Sequence, residues 1–227
     1  MDTLGFLHLF FDPGIALRYL PQLLAGAWVT LSLSVAIICS GLLLGLALAL
    51  LRLVAHRVVV ELLRLLIDAL RAVPPLAVIL LLFFGLPSLN LVLSAYGVIW
   101  LTLTLILAAF AEEIFWAGIS AIPRGQWEVA RSTGLTQTQT LTAVVLPQAV
   151  RLCVPPLTNR AIAITKNTAL GSVVGMPELL NEAQTALSFS GNATPLIVAT
   201  VGYLLIFMPL MALAGHLEKR MHWGRRR

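Results

Sequence analysis

Long apolar stretches dominate the chain and predict membrane-spanning helices. Between Arg18 and Arg52 lie 33 residues without Lys, Arg, Asp or Glu, and within them residues 28–51 are predicted to form one apolar helix, the first span. The next uncharged stretch, between Arg71 and Glu112, has 40 residues. As one helix it would be ~60 Å long, about twice the thickness of a bilayer's hydrocarbon core, so this stretch must turn back on itself.

The turn is predicted at residues 85–90, where Gly, Pro, Ser and Asn cluster. The second span then ends near Phe84, and the third runs from about residue 91 to 116. Before the second span, charged side chains recur at helical spacing on one stripe: Glu61, Arg64, Asp68 and Arg71. This stripe predicts that the second helix begins well before Arg71. Its charged face is expected to meet water or another chain near the membrane surface, rather than to form a buried ion relay.

Two glycines four residues apart, Gly41 and Gly45, lie in the first span. Small residues at this spacing let the backbone of a neighbouring helix approach closely. We therefore predict close helix packing at this face.

Residues 117–150 interrupt the apolar pattern with Gly, Pro, Gln, Thr, Ser and scattered charges. This segment is too long for a simple hairpin loop and predicts one or two short helices on the membrane surface. A fourth span is predicted at about 154–174, interrupted near its start by Pro155 and Pro156. The fifth, at 194–217, lies in an uncharged stretch of 35 residues.

Composition places these helices in a membrane. Of the 227 residues, 59% are hydrophobic and only 11% are charged, whereas about 25% are charged in a soluble domain. The sequence therefore predicts an all-α integral membrane protein with about five transmembrane helices in a single domain, residues 1–227, and excludes a large water-soluble catalytic core. The two cysteines, Cys39 and Cys153, have no CxxC spacing, and we predict neither a redox nor a metal role for them.

The basic residues predict the orientation. Eleven Lys and Arg residues outside the spans lie in 52–64, 117–151 and the C-terminal tail, whereas the opposite side carries only Arg18. By the positive-inside rule, the C-terminus and residues 117–150 are expected in the cytoplasm and the N-terminus outside. We attribute the net charge of +5 to these cytoplasmic segments and not to nucleic-acid binding. Because no basic residue precedes Arg18, the first span is expected to remain in the mature protein.

Residues 122–134 predict a short helix that ends in a tight turn. Pro123 can start a helix, Glu128 lies in its early turns, where a negative charge is favoured, and Gly134 is a natural stop. Together with the helix that follows, this segment would form a rigid knob. On a protein without a soluble domain, such a knob is suited to docking into a partner.

A spaced set of residues continues through this segment: Glu128, Ala130, Gly134, Val144, Leu146 and Pro147. The spacing resembles the EAA loop of the membrane subunits of bacterial ATP-binding-cassette (ABC) importers. Further stretches look like the polar amino-acid permease branch of that family, which takes up histidine, glutamate, glutamine, arginine and opines: residues 122–128, 146–149, 155–157, 166–168 and 176–179. The resemblance extends from about residue 28 to 220.

This resemblance implies a permease subunit in the bacterial inner membrane that forms a translocation pathway and catalyses no reaction itself. Its implied partners are cytoplasmic ATP-binding subunits, a second permease subunit that is a copy or a relative of this chain, and an external amino-acid-binding protein. No nucleic acid is implied. ATP and Mg would bind to the ATPase partner, because this chain contains no GxxxxGK[ST] loop.

The resemblance places five residues in the coupling to the ATPase: Glu128, Ala130, Gly134, Leu146 and Pro147. Glu128 would offer a carboxylate to a basic residue of the partner, Ala130 would allow close approach, and Gly134 would permit the turn. The alternative is ordinary helix chemistry, with an N-terminal charge, helix propensity and a C-cap.

Ionisable groups at membrane depth are candidates for the substrate pathway. Lys166, followed by Asn167 and Thr168, would meet the carboxylate of an amino acid, or it would reach a helix-end carbonyl or an acid across the subunit interface. Asn167 stands where the family has an acid, which makes the pathway less polar than usual.

Glu112 and Glu113 are the other pathway candidates, near the inner end of the third span. They would hold the ammonium group of a substrate, or they would lie at the mouth of the pathway and bond to Arg124 or Arg131. The two readings stay open on the sequence.

Two other classes of function fit the pattern less well. An ion-coupled carrier or channel would work without an ATPase and normally shows inverted repeats with broken helices. A membrane enzyme or haem anchor lacks residues, because His8, His56, His216 and His222 all fall near the termini or in surface segments.

Overall fold

The computed structural model describes the backbone of residues 8–222 and the side chains of residues 8–216. The regular elements in this range are helices: α1 (Pro13–Val54), α2 (Arg57–Ala72), α3 (Pro75–Gly85), α4 (Ala95–Ser120), α5 (Arg124–Ser132), α6 (Gln137–Thr140), α7 (Leu146–Thr165), α8 (Leu179–Ser190) and α9 (Thr194–His222). Segments of 3₁₀ helix follow α3 (Leu86–Leu89) and α7 (Lys166–Val174), and a π-helical turn (Leu141–Val145) joins α6 to α7.

Four helical stretches are long and apolar enough to cross a membrane: His8–Val54, Ala95–Ser120, Gln137–Val174 and Thr194–His216. A fifth candidate is broken and consists of Arg57–Ala72 and Pro75–Leu89. The prediction of an all-α membrane protein with about five spans is therefore confirmed. The orientation of the termini stays a prediction, and the five basic tail residues on which it partly depends lie outside the described side chains.

The first helix is much longer than the predicted stretch 28–51, because it starts at a strong N-terminal signal. The Asp12 carboxylate accepts hydrogen bonds from the backbone N–H groups of Gly14 (2.8 Å) and Ile15 (3.1 Å). Pro13 follows at the first helical position, where its missing N–H costs nothing. Arg52 lies in the last turn of α1, whereas we predicted it just beyond the end of the first span.

The prediction of one continuous second span is wrong. Helix α2 ends at Ala72 and α3 begins at Pro75, because Val73 precedes a proline and residues before proline are disfavoured in helical conformation. The predicted turn at 85–90 is confirmed. It consists of 3₁₀ helix and of Asn90, whose φ of 58° lies in the left-handed region that Asn tolerates.

The fourth span also differs from its prediction. Its helix begins at Gln137 and continues to Val174, and Pro155 and Pro156 lie inside α7 instead of interrupting it. Cys153 and Leu157, on either side of the prolines, are buried in the core, and this packing holds the helix together despite two missing N–H donors. Helix α8, between the fourth and fifth spans, was not predicted.

The chain forms two compact units. Within the described residues, the first comprises 8–38, Val73–Thr104 and Ile164–Leu210, and the second comprises Cys39–Ala72, Leu105–Ala163 and 211–222. In the first unit, one core cluster joins α1, α8 and α9: Leu23, Leu179, Ala183 and Ala199. In the second unit, the corresponding cluster joins α1, α4 and α7: Ala49, Ala111, Phe115, Cys153 and Leu157.

The two glycines of the first span lie at the contact between α1 and α4 in the second unit, which confirms the predicted close packing. A Cβ atom added to Gly45 would lie 2.5 Å from the Cβ of Ala111 and 2.9 Å from the carbonyl oxygen of Ala108. A Cβ added to Gly41 would lie 2.8 Å from Cδ2 and 2.9 Å from Cβ and Cγ of Leu107.

We expect Gly45→Ala to lower the free energy of unfolding by about 1–3 kcal/mol, the usual cost of overpacking a core. This cost exceeds the gain of about 1 kcal/mol in helix propensity, because neither the Ala111 Cβ nor the α4 backbone can rotate away. Thermal unfolding of the purified protein measures the loss. Gly125→Ala is the matched control, because no atom lies within 4 Å of the added Cβ. Equal melting temperatures for the two variants would contradict the packing argument.

Candidate functional site

The segment 122–145 folds as a helix, a turn and the start of a second helix. Pro123 precedes the first residue of α5, and Gly134 follows its end with a φ of 90°, a conformation that favours glycine. The backbone N–H of Leu135 donates to the carbonyl oxygen of Ala130 at 3.4 Å and closes the turn. The next helix starts with a capping box in which Thr136 and Gln139 bond to each other's backbone N–H groups.

An apolar cluster in the second unit anchors this segment: Ile119, Ile122, Val145 and Ala149, with Leu53, Trp127, Leu141 and Leu146 packed against it. Trp127 therefore fixes α5 to the end of α4 and to the start of α7. The cluster makes the helix–turn–helix a rigid extension of the second unit.

The predicted coupling residues divide between the two faces of this segment. Glu128 is exposed, and none of the four ion pairs among residues 8–216 involves it. Gly134 and Pro147 are also exposed. Ala130, by contrast, is only 6% exposed, and Leu146 belongs to the anchoring cluster. The exposed surface of α5 thus carries Glu128 and not Ala130.

Glu112 forms a buried ion pair that the sequence did not indicate. Its Oε1 lies 2.9 Å from Nη1 of Arg52, and the two side chains are only 1% and 10% exposed. The Arg52 guanidinium also lies over the ring of Trp116, 4.2 Å from its centroid. These contacts tie the last turn of α1 to α4.

Glu113 points to a different helix, because successive residues of a helix lie about 100° apart. Its carboxylate lies 2.6 Å from the guanidinium of Arg71, at the end of α2. The Phe110 ring lies nearby, with the guanidinium carbon of Arg160 3.7 Å and that of Arg71 5.2 Å from its centroid.

The predicted partners of the two glutamates, Arg124 and Arg131, are thus wrong. Both arginines belong to the exposed side of α5. The observed partners come from α1 and α2, which pack on α4.

Lys166, Asn167 and Thr168 open the 3₁₀ segment in the first unit and differ in their exposure. Lys166 is exposed, Asn167 is half-buried and Thr168 is buried. The Thr168 hydroxyl donates to the carbonyl oxygen of Thr165 at 2.9 Å, within the same helical stretch.

A buried carboxylate between the fourth and fifth spans was also missed. Glu178 is fully buried and caps α8 by accepting hydrogen bonds from the backbone N–H groups of Leu180 (3.0 Å) and Asn181 (2.7 Å). Its Oε2 also accepts a hydrogen bond from the Tyr203 hydroxyl at 2.6 Å. The only local signal is a Glu placed just before a helix that ends at a glycine, Gly191.

Helix α1 holds the same end of α8. The Thr30 hydroxyl accepts a hydrogen bond from the Leu179 N–H (3.2 Å) and donates to the Gly26 carbonyl oxygen (3.1 Å). Gly26 permits this approach, since an added Cβ would lie 3.0 Å from the Cα of Leu179. One turn further on, the Gln22 amide donates to the carboxylate of Glu182.

Among the described residues, no three His, Cys, Asp or Glu side chains are grouped as metal ligands.

The melting temperature is expected to depend on pH through Glu178. Burial raises the pKa of this carboxyl above its usual range, although the Tyr203 hydroxyl and the two N–H donors oppose the shift. The folded state then binds the proton more tightly than the unfolded state. Stability is therefore greatest below the ordinary Glu pKa of about 4.3 and falls as pH rises through the raised value.

Melting curves recorded between about pH 5 and pH 7.5 test this dependence. We expect Glu178→Gln, which keeps an acceptor oxygen but cannot ionise, to remove a large part of the slope. Glu61→Gln, on an exposed helix face, should leave it unchanged. A wild-type slope in the Glu178→Gln variant would contradict the assignment.

Taken together, the candidate spans and the exposed helix–turn–helix between the third and fourth of them define an all-helical, multi-pass membrane protein. The chain belongs to the family described as binding-protein-dependent transport system inner membrane component, whose model matches residues 41–223. It is thus an inner-membrane permease subunit of the ABC amino-acid importer type, and the resemblance drawn from the EAA spacing is confirmed.

Two curated relatives and one solved structure illustrate this relationship. The probable glutamine ABC transporter permease protein GlnP of Bacillus subtilis is 34% identical over 207 residues, which cover 89% of this chain and 95% of that protein. The arginine ABC transporter permease protein ArtQ of Haemophilus influenzae is 34% identical over 172 residues, 73% and 77% of the two chains. A crystal structure of an amino acid ABC transporter with histidines superposes with a TM-score of 0.82 at 28% identity, covering 97% of this chain and 99% of that one.

Proposed function

We propose that this chain forms the translocation pathway of an ATP-driven importer for polar amino acids and is coupled to a separate ATPase through residues 117–150. The observation that carries the coupling is helix α5. It presents the carboxylate of Glu128, which makes no ion pair within residues 8–216, on an exposed face, while Trp127 anchors the helix to the end of α4 and the start of α7. A force applied to α5 would therefore move the second unit with it.

The proposal assigns the remaining parts of the importer to other polypeptides. ATP and Mg bind to two cytoplasmic ATP-binding subunits, and this chain catalyses no reaction. A second permease subunit, either a copy or a relative, completes the pathway, and an external binding protein delivers the amino acid. In this arrangement the N-terminus is outside and the C-terminus is cytoplasmic. The relatives' names, glutamine and arginine permeases, support the substrate class.

The substrate pathway in this proposal involves Lys166, Asn167, Thr168 and Glu113. Lys166, in the first unit, is exposed and is proposed to meet the carboxylate of an amino acid. Glu113, in the second unit, is paired with Arg71 but 49% exposed, and it is proposed separately as a contact for an ammonium group. We propose a structural role for Glu112 and not the predicted contact with a substrate. Its side chain is 1% exposed and paired with Arg52, and it therefore positions α1 against α4.

Affinity purification from native membranes tests the proposal as a whole. We expect an ATP-binding subunit and an amino-acid-binding protein to co-purify, and we expect uptake of labelled glutamine, glutamate, histidine or arginine by the reconstituted complex to require ATP. Purification of the chain alone, together with transport that needs no nucleotide, would instead support an ion-coupled carrier or channel and overturn the proposal.

A further inference from the structure

Helix α2 presents three different faces along its length, since residues follow each other at 100°. The first face packs on the protein: Val60, Leu63, Ile67 and Leu70, of which Ile67 is 4% exposed. The second face is charged and exposed: Arg57, Glu61, Arg64 and Asp68. The third face is apolar and yet exposed: Val58, Val59, Leu62, Leu65 and Leu66.

The exposed apolar face is too large to lie in water. Its five side chains are between 42% (Val59) and 69% (Leu65) exposed, and burying one such side chain fully contributes about 1.5–3 kcal/mol. A contiguous patch of this kind marks a surface that is covered in the native environment.

The charged face excludes a membrane-crossing orientation for α2. Charged side chains cost about 2.5–3.5 kcal/mol each at the centre of a membrane-spanning helix, and α2 carries four of them on this face. Here they are exposed, and an ion pair within the helix joins Glu61 to Arg64 at 3.0 Å. The centres of the charged and the exposed apolar faces lie roughly 140° apart around the helix axis. A helix that places one face in water and the other in lipid must lie along the membrane surface.

We propose that α2 lies in the interfacial layer of a phospholipid bilayer, with its exposed apolar face among the acyl chains and its charged face at the headgroups. Continuity with the lipid-facing surface of α1 identifies the occupant. Leu51 and Val54, in the last turn of α1, are exposed apolar residues, and only Ala55 and His56 separate this membrane-spanning helix from α2. The chain thus enters α2 at membrane level.

The charges complement this location. Arg57 and Arg64 lie on the same side of α2, where their guanidinium groups can reach lipid phosphates, which Arg binds well. The apolar stems of these two arginine side chains can remain in contact with the acyl chains while the guanidinium groups lie at the phosphates. Glu61 and Asp68 each lie beside an arginine, at 3.0 Å from Arg64 and 3.5 Å from Arg71, which limits repulsion from anionic lipids.

The proposal changes the account of the second crossing. The segment from Pro75 to Leu89, with α3 and its 3₁₀ turn, is ~25 Å long at 1.5 and 2.0 Å per residue, and it would have to cross the hydrocarbon core by itself. None of the charges of α2 then enters the membrane. This inference depends only on membrane insertion and not on the proposed coupling or substrate.

Spin labels on single cysteines test the proposal in the full chain, reconstituted into vesicles of phosphatidylcholine and phosphatidylglycerol. Cys39 is replaced by serine, and the buried Cys153 is retained. We expect labels at Leu62 and Leu66 to collide severalfold more often with oxygen, which concentrates in lipid, than with a water-soluble nickel complex. A label at Glu61 should show the reverse preference.

Two results would overturn the proposal. Strong collision with the nickel complex at Leu62 and Leu66 would place the apolar face in water. Shielding from both reagents, together with dipolar broadening between labels, would show that a second copy of the chain covers it. If either label prevents insertion, Leu65 carries the same expectation, because it lies on the same face. Ile67, which is 4% exposed on the packed face, supplies the shielded reference.

Discussion

Replacing Glu112 with leucine is expected to lower the free energy of unfolding by about 3–5 kcal/mol, which is the usual cost of removing one partner from a buried ion pair. The variant leaves the guanidinium of Arg52 without its carboxylate in a site where that side chain is only 10% exposed. Contact with the Trp116 ring remains, which places the expected loss toward the lower end of this range. Thermal unfolding of the purified protein, or its survival as a monodisperse species after heating, measures the effect.

A second variant separates charge from packing. In Arg52→Leu/Glu112→Leu no buried charge is left unpaired, and replacing a whole buried pair with apolar residues is often close to neutral. We therefore expect the double variant to recover most of the stability. The matched control is Glu61→Leu, which breaks the exposed pair with Arg64 at 3.0 Å and should cost less than about 1 kcal/mol. A double variant as unstable as the single one would mean that Glu112 acts through its shape and not through its charge.

The positions of the apolar helices followed from the sequence because uncharged stretches of 33 to 40 residues leave few alternatives in a membrane protein. The ends of these helices were predicted incorrectly, because we placed them at charged residues. Arg52 remains helical because Glu112, sixty residues away in the chain, receives its charge. The break at Val73 shows the opposite error, in which the charge stripe was continued through a pair of prolines whose local effect is stronger.

The candidate site likewise contains features that the sequence predicts and features that it does not. Pro123 and Gly134 are local signals, and the helix–turn–helix that they predict is present. The Thr136–Gln139 capping box that starts its second helix was not predicted. The partners of Glu112 and Glu113 and the burial of Glu178 depend on contacts between helices that are distant in sequence. A carboxylate in an apolar chain signals that a partner exists, but neighbouring residues carry no information on which helix supplies it.

Reversing the charge of Glu128 is expected to abolish uptake while leaving membrane insertion and thermal stability unchanged. The fifth residue of α5 is too far from the helix N-terminus for a substantial dipole effect, which falls off within the first turn. Glu128 also makes no ion pair within the described residues. Helix capping and the helix dipole therefore do not explain this carboxylate, and its charge is available to a basic residue of the ATPase.

Losing a charge pair at a buried interface costs at least about 2 kcal/mol, which weakens docking by roughly 30-fold. Glu128→Arg adds repulsion to this loss, so uptake by the reconstituted importer should fall to background and less ATPase should co-purify with the permease. Glu128→Gln, which keeps the shape without the charge, should give an intermediate loss. Glu61→Arg makes the same charge change on another exposed face and should transport normally. Normal uptake by Glu128→Arg would remove the coupling role from α5, whereas lost uptake with unchanged ATPase binding would assign Glu128 to transmission of the motion after docking.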